Sequence, residues 1–163
     1  MLTIISGGQT GVDRAALDFA IARGYSHGGW CPNGRRAEDG VIDARYQLTE
    51  TVSKSYHSRT RRNVLDSDGT LILNSGELEN GTLKTLQIAE QENRPVWVIQ
   101  LDSSDCRTSA RECLSWLGNH AIVRLNIAGP RESKRPGIYK LAAQFLDEFH
   151  NLANASSPEI TAR

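Results

Sequence analysis

The sequence predicts a single-domain α/β fold, three-layered α/β/α, around a mainly parallel sheet. Three observations predict it. Short apolar runs, such as Leu2 to Ile5 and Leu71 to Leu73, alternate with longer stretches of helical periodicity. Turns bearing glycine fall where a strand would end and a helix begin. The chain's 163 residues, 39% hydrophobic and 23% charged, suit one core of ordinary composition.

The first strand is expected at Leu2 to Ile5, followed by the turn Ser6-Gly7-Gly8-Gln9-Thr10-Gly11. A helix follows over Val12 to Arg23, with Thr10 as its N-cap and Asp13 completing a capping box. Val12, Ala16, Leu17, Ala20 and Ile21 form its buried stripe, and Gly24 closes it. Tyr25 to Trp30 is short and extended. Cys31 to Asp43, punctuated by Pro32, Gly34 and Gly40, reads as a long functional loop without regular structure. A helix over Ser58 to Leu65 leads into strand Gly69 to Leu73.

A second glycine-bearing turn spans Gly76 to Gly81, and a helix runs from Thr82 to about Asn93. Pro95 blocks its continuation and starts strand Val96 to Leu101. Ser109 and Glu112 cap a helix that ends at Gly118. Strand Ile122 to Ala128 ends in the third turn, Gly129-Pro130-Arg131-Glu132-Ser133. Pro136 then opens a last helix, Ile138 to Phe149, with Ile138, Leu141, Ala142, Phe145 and Phe149 on one face. Residues 1–150 thus form the ligand-binding domain and 151–163 a polar tail. Strands alternating with helices imply a parallel sheet covered on both faces, a Rossmann-like arrangement with all strand C-terminal ends on one side.

Composition narrows the function. Lys and Arg (19) balance Asp and Glu (19), so no basic excess drives direct nucleic-acid binding. No apolar run reaches the roughly 20 residues of a membrane span, and the N-terminus is not a signal peptide. Cys31, Cys106 and Cys113 are scattered and odd in number, as expected of reduced thiols in a cytoplasmic protein. No Cys or His spacing suggests a metal site. Cys31, beside Trp30 and Pro32, is a candidate reactive thiol.

The three turns carry the functional reading. In a parallel sheet they share one edge, and each offers backbone N–H groups beside a helix N-terminus, which is a recipe for anion binding. The expected phosphate-binding residues are Gly7, Gly8, Gln9, Thr10 and Gly11; Asn80, Gly81 and Thr82; and Gly129, Pro130, Arg131, Glu132 and Ser133. Glycine lets a phosphate approach the backbone closely, so valine at Gly8 or Gly129 is expected to block binding with less effect on folding. Asp13 and Arg14 follow the first turn and could hold a ligand hydroxyl and a phosphate. The charged loop around Arg36, Glu38 and Asp39 could clamp the ligand, arginine to phosphate and carboxylate to a sugar or base N–H. Glu38 is the candidate catalytic acid, provided burial raises its pKa. No Walker A lysine follows Gly11, and the spacing from Gly8 to Gly11 is not a dinucleotide fingerprint.

Three segments, SGGQTGVDRAA (6–16), GWCPNGRRAEDG (29–40) and NIAGPRES (126–133), closely resemble the bacterial "putative molybdenum carrier" family. The match extends from the first strand to about Tyr139. That family is similar to the molybdenum-cofactor carriers of algae and to the Rossmann-like superfamily of the lonely-guy phosphoribohydrolases, often labelled lysine-decarboxylase-like. The resemblance implies a Rossmann-like fold, a homodimer or homotetramer, and a phosphorylated ligand of nucleotide or molybdenum-cofactor type. The phosphoribohydrolases carry a catalytic acid three residues after their Gly-Thr pair, where this chain has Thr85. Their upstream arginine has a possible counterpart in Arg59.

The leading expectation is therefore a binding or carrier protein for a phosphate-bearing small molecule at the C-terminal edge of the sheet. The alternatives are a hydrolase of N-glycosidic or phosphate bonds, and a nucleotide sensor.

Overall fold

The computed structural model describes residues 1–155. Its elements are β1 (Thr3–Ile5), α1 (Val12–Arg23), β2 (Ser26–Gly28), β3 (Trp30–Cys31), β4 (Arg36–Ala37), β5 (Gly40–Val41), β6 (Thr49–Glu50), α2 (Tyr56–Leu65), β7 (Gly69–Asn74), α3 (Asn80–Gln91), β8 (Val96–Gln100), α4 (Cys106–Asn119), β9 (Arg124–Ala128) and α5 (Ile138–Ala155).

Five strands form the central sheet in the order β2-β1-β9-β7-β8, parallel throughout. β1 pairs with β9 in the register Ile5 to Asn126, and β9 with β7 in the register Ala128 to Ile72. If β9 is counted first, the order becomes 3-2-1-4-5, that of a doubly wound Rossmann sheet begun one strand late. Strand direction of winding reverses between β9 and β7, which opens a crevice beyond Ala128 and Asn74.

Two apolar layers sandwich the sheet. α1, α4 and α5 pack together on one face, where Val12, Phe19, Cys113, Trp116, Phe145 and Phe149 meet Ile4, Leu71 and Ile127. α2 and α3 cover the other through Val64, Ile88 and Ala89. A small satellite of Leu17, Cys31, Ile42 and Tyr46 fixes the 31–46 loop to α1. None of the described helices is long and apolar enough to cross a membrane.

Several expected details differ. Gly11, not Thr10, caps α1: its φ of 77° suits glycine, and no side chain caps the helix. Asp13 accepts from the Gln9 amide and does not complete a capping box. Ile21 is 44% exposed while Ala15 and Phe19 are buried, because α5 crosses α1 on that flank. The 31–43 loop contains the β4–β5 hairpin, and Trp30 and Cys31 pair with Thr49 and Glu50. α3 begins at Asn80, so Asn80, Gly81 and Thr82 are its first turn.

α4 begins at Cys106, where the Asp105 carboxylate accepts from the Thr108 amide, and it runs through Gly118 to Asn119. Neither Ser109 nor Gly118 marks an end, since Ser109 is buried inside the helix and Gly118 faces open space. α5 continues to Ala155 with Leu152 still packed on the core. The first residues of the expected polar tail are therefore helical; 156–163 lie outside the described residues.

Candidate functional site

A cleft of about 590 Å³ opens at the crevice between β9 and β7. Its floor is the C-terminal ends of these strands, with Asn126, Ala128 and Gly129 on one side and Asn74 on the other. The β1–α1 turn contributes Gly7, Gln9 and Asp13, and α2 contributes Tyr56, Arg59 and Asn63. The first turn of α3 and the β9–α5 turn complete the rim, the latter through Pro130, Arg131, Lys134 and Arg135.

The wall nearest β1 rests on a buried ion pair. Arg59 reaches from α2 to Asp13 on α1, Nη1 to Oδ2 at 2.8 Å, with both side chains almost wholly enclosed. Gly7 makes room for it: a Cβ there would stand 1.6 Å from Arg59 Nη1. Burial, the largest effect on Asp13, raises its carboxyl pKa above the ordinary 3.8; Arg59 and the Gln9 amide oppose this without cancelling it. Two guanidinium groups approach the Tyr56 ring, Arg59 at 5.6 Å and Arg131 at 5.5 Å from its centroid.

Three buried polar atoms on this cleft have no partner: Gln9 Nε2, Arg59 Nε and Asn74 Oδ1. A buried group left unsatisfied costs about 1–3 kcal/mol, and among the described residues these three atoms, all on residues lining one cleft, are the ones left so. At the entrance to α3, the Asn80 and Gly81 amides make no hydrogen bond within the described residues. Asn80 holds a positive φ of 47°, sparsely populated for a side-chain-bearing residue. The lining includes five cations, Arg59, Lys84, Arg131, Lys134 and Arg135, against three carboxylates, Asp13, Glu77 and Glu79. Lys84 and Lys134 have no ion-pair partner among the described residues.

Of the residues singled out from the sequence, Gly7, Gln9, Asp13, Asn80, Gly81, Thr82, Gly129, Pro130 and Arg131 line this cleft. The others lie beside or behind it. Gly8 packs beneath Leu48 and Ile42, and Gly11 against the Pro130 carbonyl at 2.3 Å from where its Cβ would be. Arg14 grips the Gly8 carbonyl and makes a two-pronged pair with Asp39 at 3.0 and 3.1 Å. Arg36 is exposed on the hairpin. Glu132 caps the start of α5 by accepting from Gly137 and Tyr139 amides. Gly129 lines the cleft through its backbone, but its Cβ position is 2.2 Å from Leu73 O and 2.5 Å from Val12. Valine at Gly129 would thus disrupt the core directly, contrary to the expectation of a mild folding effect.

Thr10, Ser133 and Arg131 do converge on an anion, but that anion is the chain's own Glu38. Its carboxylate accepts from the Thr10 hydroxyl, the Ser133 hydroxyl and the Ser133 amide, with Arg131 at 3.8 Å. Burial acts to raise the Glu38 pKa, yet these hydrogen bonds together hold it below the ordinary 4.5. Asp39 is lowered too, chiefly by Arg14. The raised pKa required of a general acid at Glu38 is absent. Cys31 is buried with its thiol pKa raised by that burial, the opposite of a reactive thiolate.

Asn74, Lys134 and Arg135 were not singled out from the sequence. Asn74 had a signal: a polar residue ending the apolar run Leu71 to Leu73 at the sheet's C-terminal edge. The two cations follow the third turn in sequence but lack any motif.

The model of the circularly permutated YpsA SLOG family matches residues 4–150 of the chain. No curated protein matches it. Among solved structures, the chain is similar to a crystal structure described as that of a putative molybdenum carrier protein from Syntrophus aciditrophicus SB. Identity is 48% and the TM-score 0.90, over 91% of this chain and 94% of that one.

Proposed function

The chain belongs to the circularly permutated YpsA SLOG family, and from that premise we propose that it binds and carries a phosphate-bearing small molecule, of nucleotide-like or molybdopterin type, in the cleft between β9 and β7. The observation that carries this reading is the set of three unpartnered buried polar atoms, Gln9 Nε2, Arg59 Nε and Asn74 Oδ1, around one cation-rich cleft at the reversal of strand order.

The phosphate sits at the start of α3, where the Asn80 and Gly81 amides, the Thr82 hydroxyl and the Lys84 and Lys134 charges combine hydrogen bonding with the helix dipole. Tyr56 offers its ring beside the inner part of the ligand. Among the described residues no three His, Cys, Asp or Glu side chains cluster to hold a metal. A molybdenum-bearing cargo would therefore be recognised through its phosphate and ring, with its metal held by the cargo's own atoms. Glu38, outside the cleft and already fully engaged, favours binding over acid catalysis by that residue.

Native mass spectrometry of the freshly purified protein, with metal analysis of the same sample, tests the reading. A co-purified phosphate-bearing mass at one per chain is the expected result, and Lys134→Ala should lower its occupancy. An empty protein whose melting temperature no phosphorylated metabolite shifts would overturn it.

A further inference from the structure

Gln9 and Asn74 are both amides, and each has one end already committed. Gln9 Oε1 accepts from the Thr10 amide at 3.0 Å and from the Glu38 amide at 2.9 Å. Asn74 Nδ2 donates to Gly76 O at 2.8 Å and to Gln100 Oε1 at 3.1 Å. Flipping either group would set like against like, donor on donor at Gln9 and acceptor on acceptor at Asn74. The free atom of each is thereby defined. Gln9 presents a donor, Nε2, and Asn74 presents an acceptor, Oδ1, and both are buried without a partner. Gln9 is 7% exposed and Asn74 0%.

The two residues lie on opposite sides of β9. Gln9 follows β1 and Asn74 ends β7, with β9 between them. Arg59 Nε, a second unpartnered donor, belongs to the Gln9 side, because Arg59 lies over Gly7. One wall of the cleft thus lacks acceptors to bind, and the other lacks a donor.

We propose that Gln9 and Asn74 select the ligand: the fixed donor and fixed acceptor on opposite walls admit an organic phosphate carrying both an acceptor and an N–H or O–H donor, and discriminate against a bare tetrahedral oxyanion. This rests on the proposed function and says which part of the ligand the inner cleft reads. An ion such as molybdate offers acceptors only at neutral or alkaline pH. It can serve the donors of Gln9 and Arg59, but it has no donor to offer the Asn74 oxygen, which stays without a partner. An organic phosphate that also carries an N–H or O–H group on its ring or sugar offers a partner to both walls.

Titration calorimetry on the full chain at about pH 8 tests this with molybdate, ribose 5-phosphate, and the 5′-monophosphates of guanosine, adenosine and uridine. At least one organic phosphate is expected to bind ten-fold or more tightly than molybdate. Asn74→Ala should weaken that organic phosphate about ten-fold while changing molybdate affinity less than two-fold. Gln9→Glu, which keeps the Oε1 contacts and replaces the donor by an oxygen, should weaken both.

Molybdate binding as tightly as the best organic phosphate overturns the selection. So does an Asn74→Ala variant with unchanged organic-phosphate affinity. The wild-type comparison needs no variant, so the test stands even if Asn74→Ala fails to fold. Absence of binding by every phosphorylated compound overturns the proposed function itself, and this inference with it; tight but unselective binding overturns this inference alone.

Discussion

Ser133 donates to Glu38 twice, its amide to Oε1 at 3.2 Å and its hydroxyl to Oε2 at 2.5 Å. With the Thr10 hydroxyl on the same carboxylate, Glu38 ties the β4–β5 hairpin to two of the three strand-to-helix turns. The Glu38 amide adds a bond to Gln9 Oε1, so the hairpin also braces the residue that faces the cleft. The donors that would suit a phosphate thus serve to close the fold around the site.

Glu38→Ala should therefore cost about 1–2 kcal/mol, the lower part of the range for charge-assisted bonds because the carboxylate is partly solvated. The loss is measured by urea unfolding. Amide exchange should rise over Arg36 to Val41 ahead of the central strands. Unchanged protection in the hairpin would show that the remaining contacts, Arg14–Asp39 and the Glu38 amide to Gln9 among them, suffice to hold it.

The acid limb of stability should carry two opposing signs. Glu38 and Asp39 are held below their ordinary values of 4.5 and 3.8. Their contribution is present above the unfolded values and is lost as pH falls through the folded ones, that is, below about pH 4.5. Asp13 is raised above 3.8, so its contribution is full at acid pH and declines as pH rises through the folded value. Urea midpoints followed from about pH 8 down to pH 3 should show a flatter acid decline in Glu38→Gln. Asp13→Asn should show a steeper one, whatever its stability at neutral pH.

The Asp13–Arg59 pair should behave as a unit. Removing either partner alone leaves a buried charge without its counter-ion and costs about 3–5 kcal/mol. Asp13→Ala with Arg59→Ala should cost clearly less than the sum, a coupling read from a double-mutant cycle. Additive losses would mean that solvent reaches the pair and screens it.

The sheet was legible because its strands are short apolar runs bounded by turn residues: Leu71 to Leu73 between Gly69 and Asn74, Ile99 after Pro95, Leu125 to Ile127 before Gly129. The edge that holds the site followed from topology alone. What stayed hidden was tertiary. The reason for glycine at 8, 11 and 129 is packing against Ile42, Pro130 and Leu73, neighbours remote in sequence. Glu38 and Ser133 are 95 residues apart, and no local pattern announces that one fills the site formed by the other. Arg59 stands on a helix with no apolar periodicity to mark which face turns inward, and only the fold brings it over Gly7.

Three glycines at the cleft should give three different results. At Gly129 a methyl group meets the Leu73 backbone at 2.2 Å, which cannot move without the sheet, so Gly129→Ala should be the most destabilising. At Gly7 the obstacle is the Arg59 guanidinium, the far end of a side chain. Gly7→Ala should expel it from Asp13, cost about as much as Arg59→Ala, roughly 3–5 kcal/mol, and add little when combined with it. At Gly81 nothing lies within 4 Å of the added carbon. Gly81→Ala should stabilise α3 by up to about 1 kcal/mol through helix propensity, yet weaken phosphorylated ligands by crowding the amides that receive them. Thermal melts and calorimetry on the same three variants separate these outcomes, and a Gly81→Ala protein that binds normally would move the phosphate away from the start of α3.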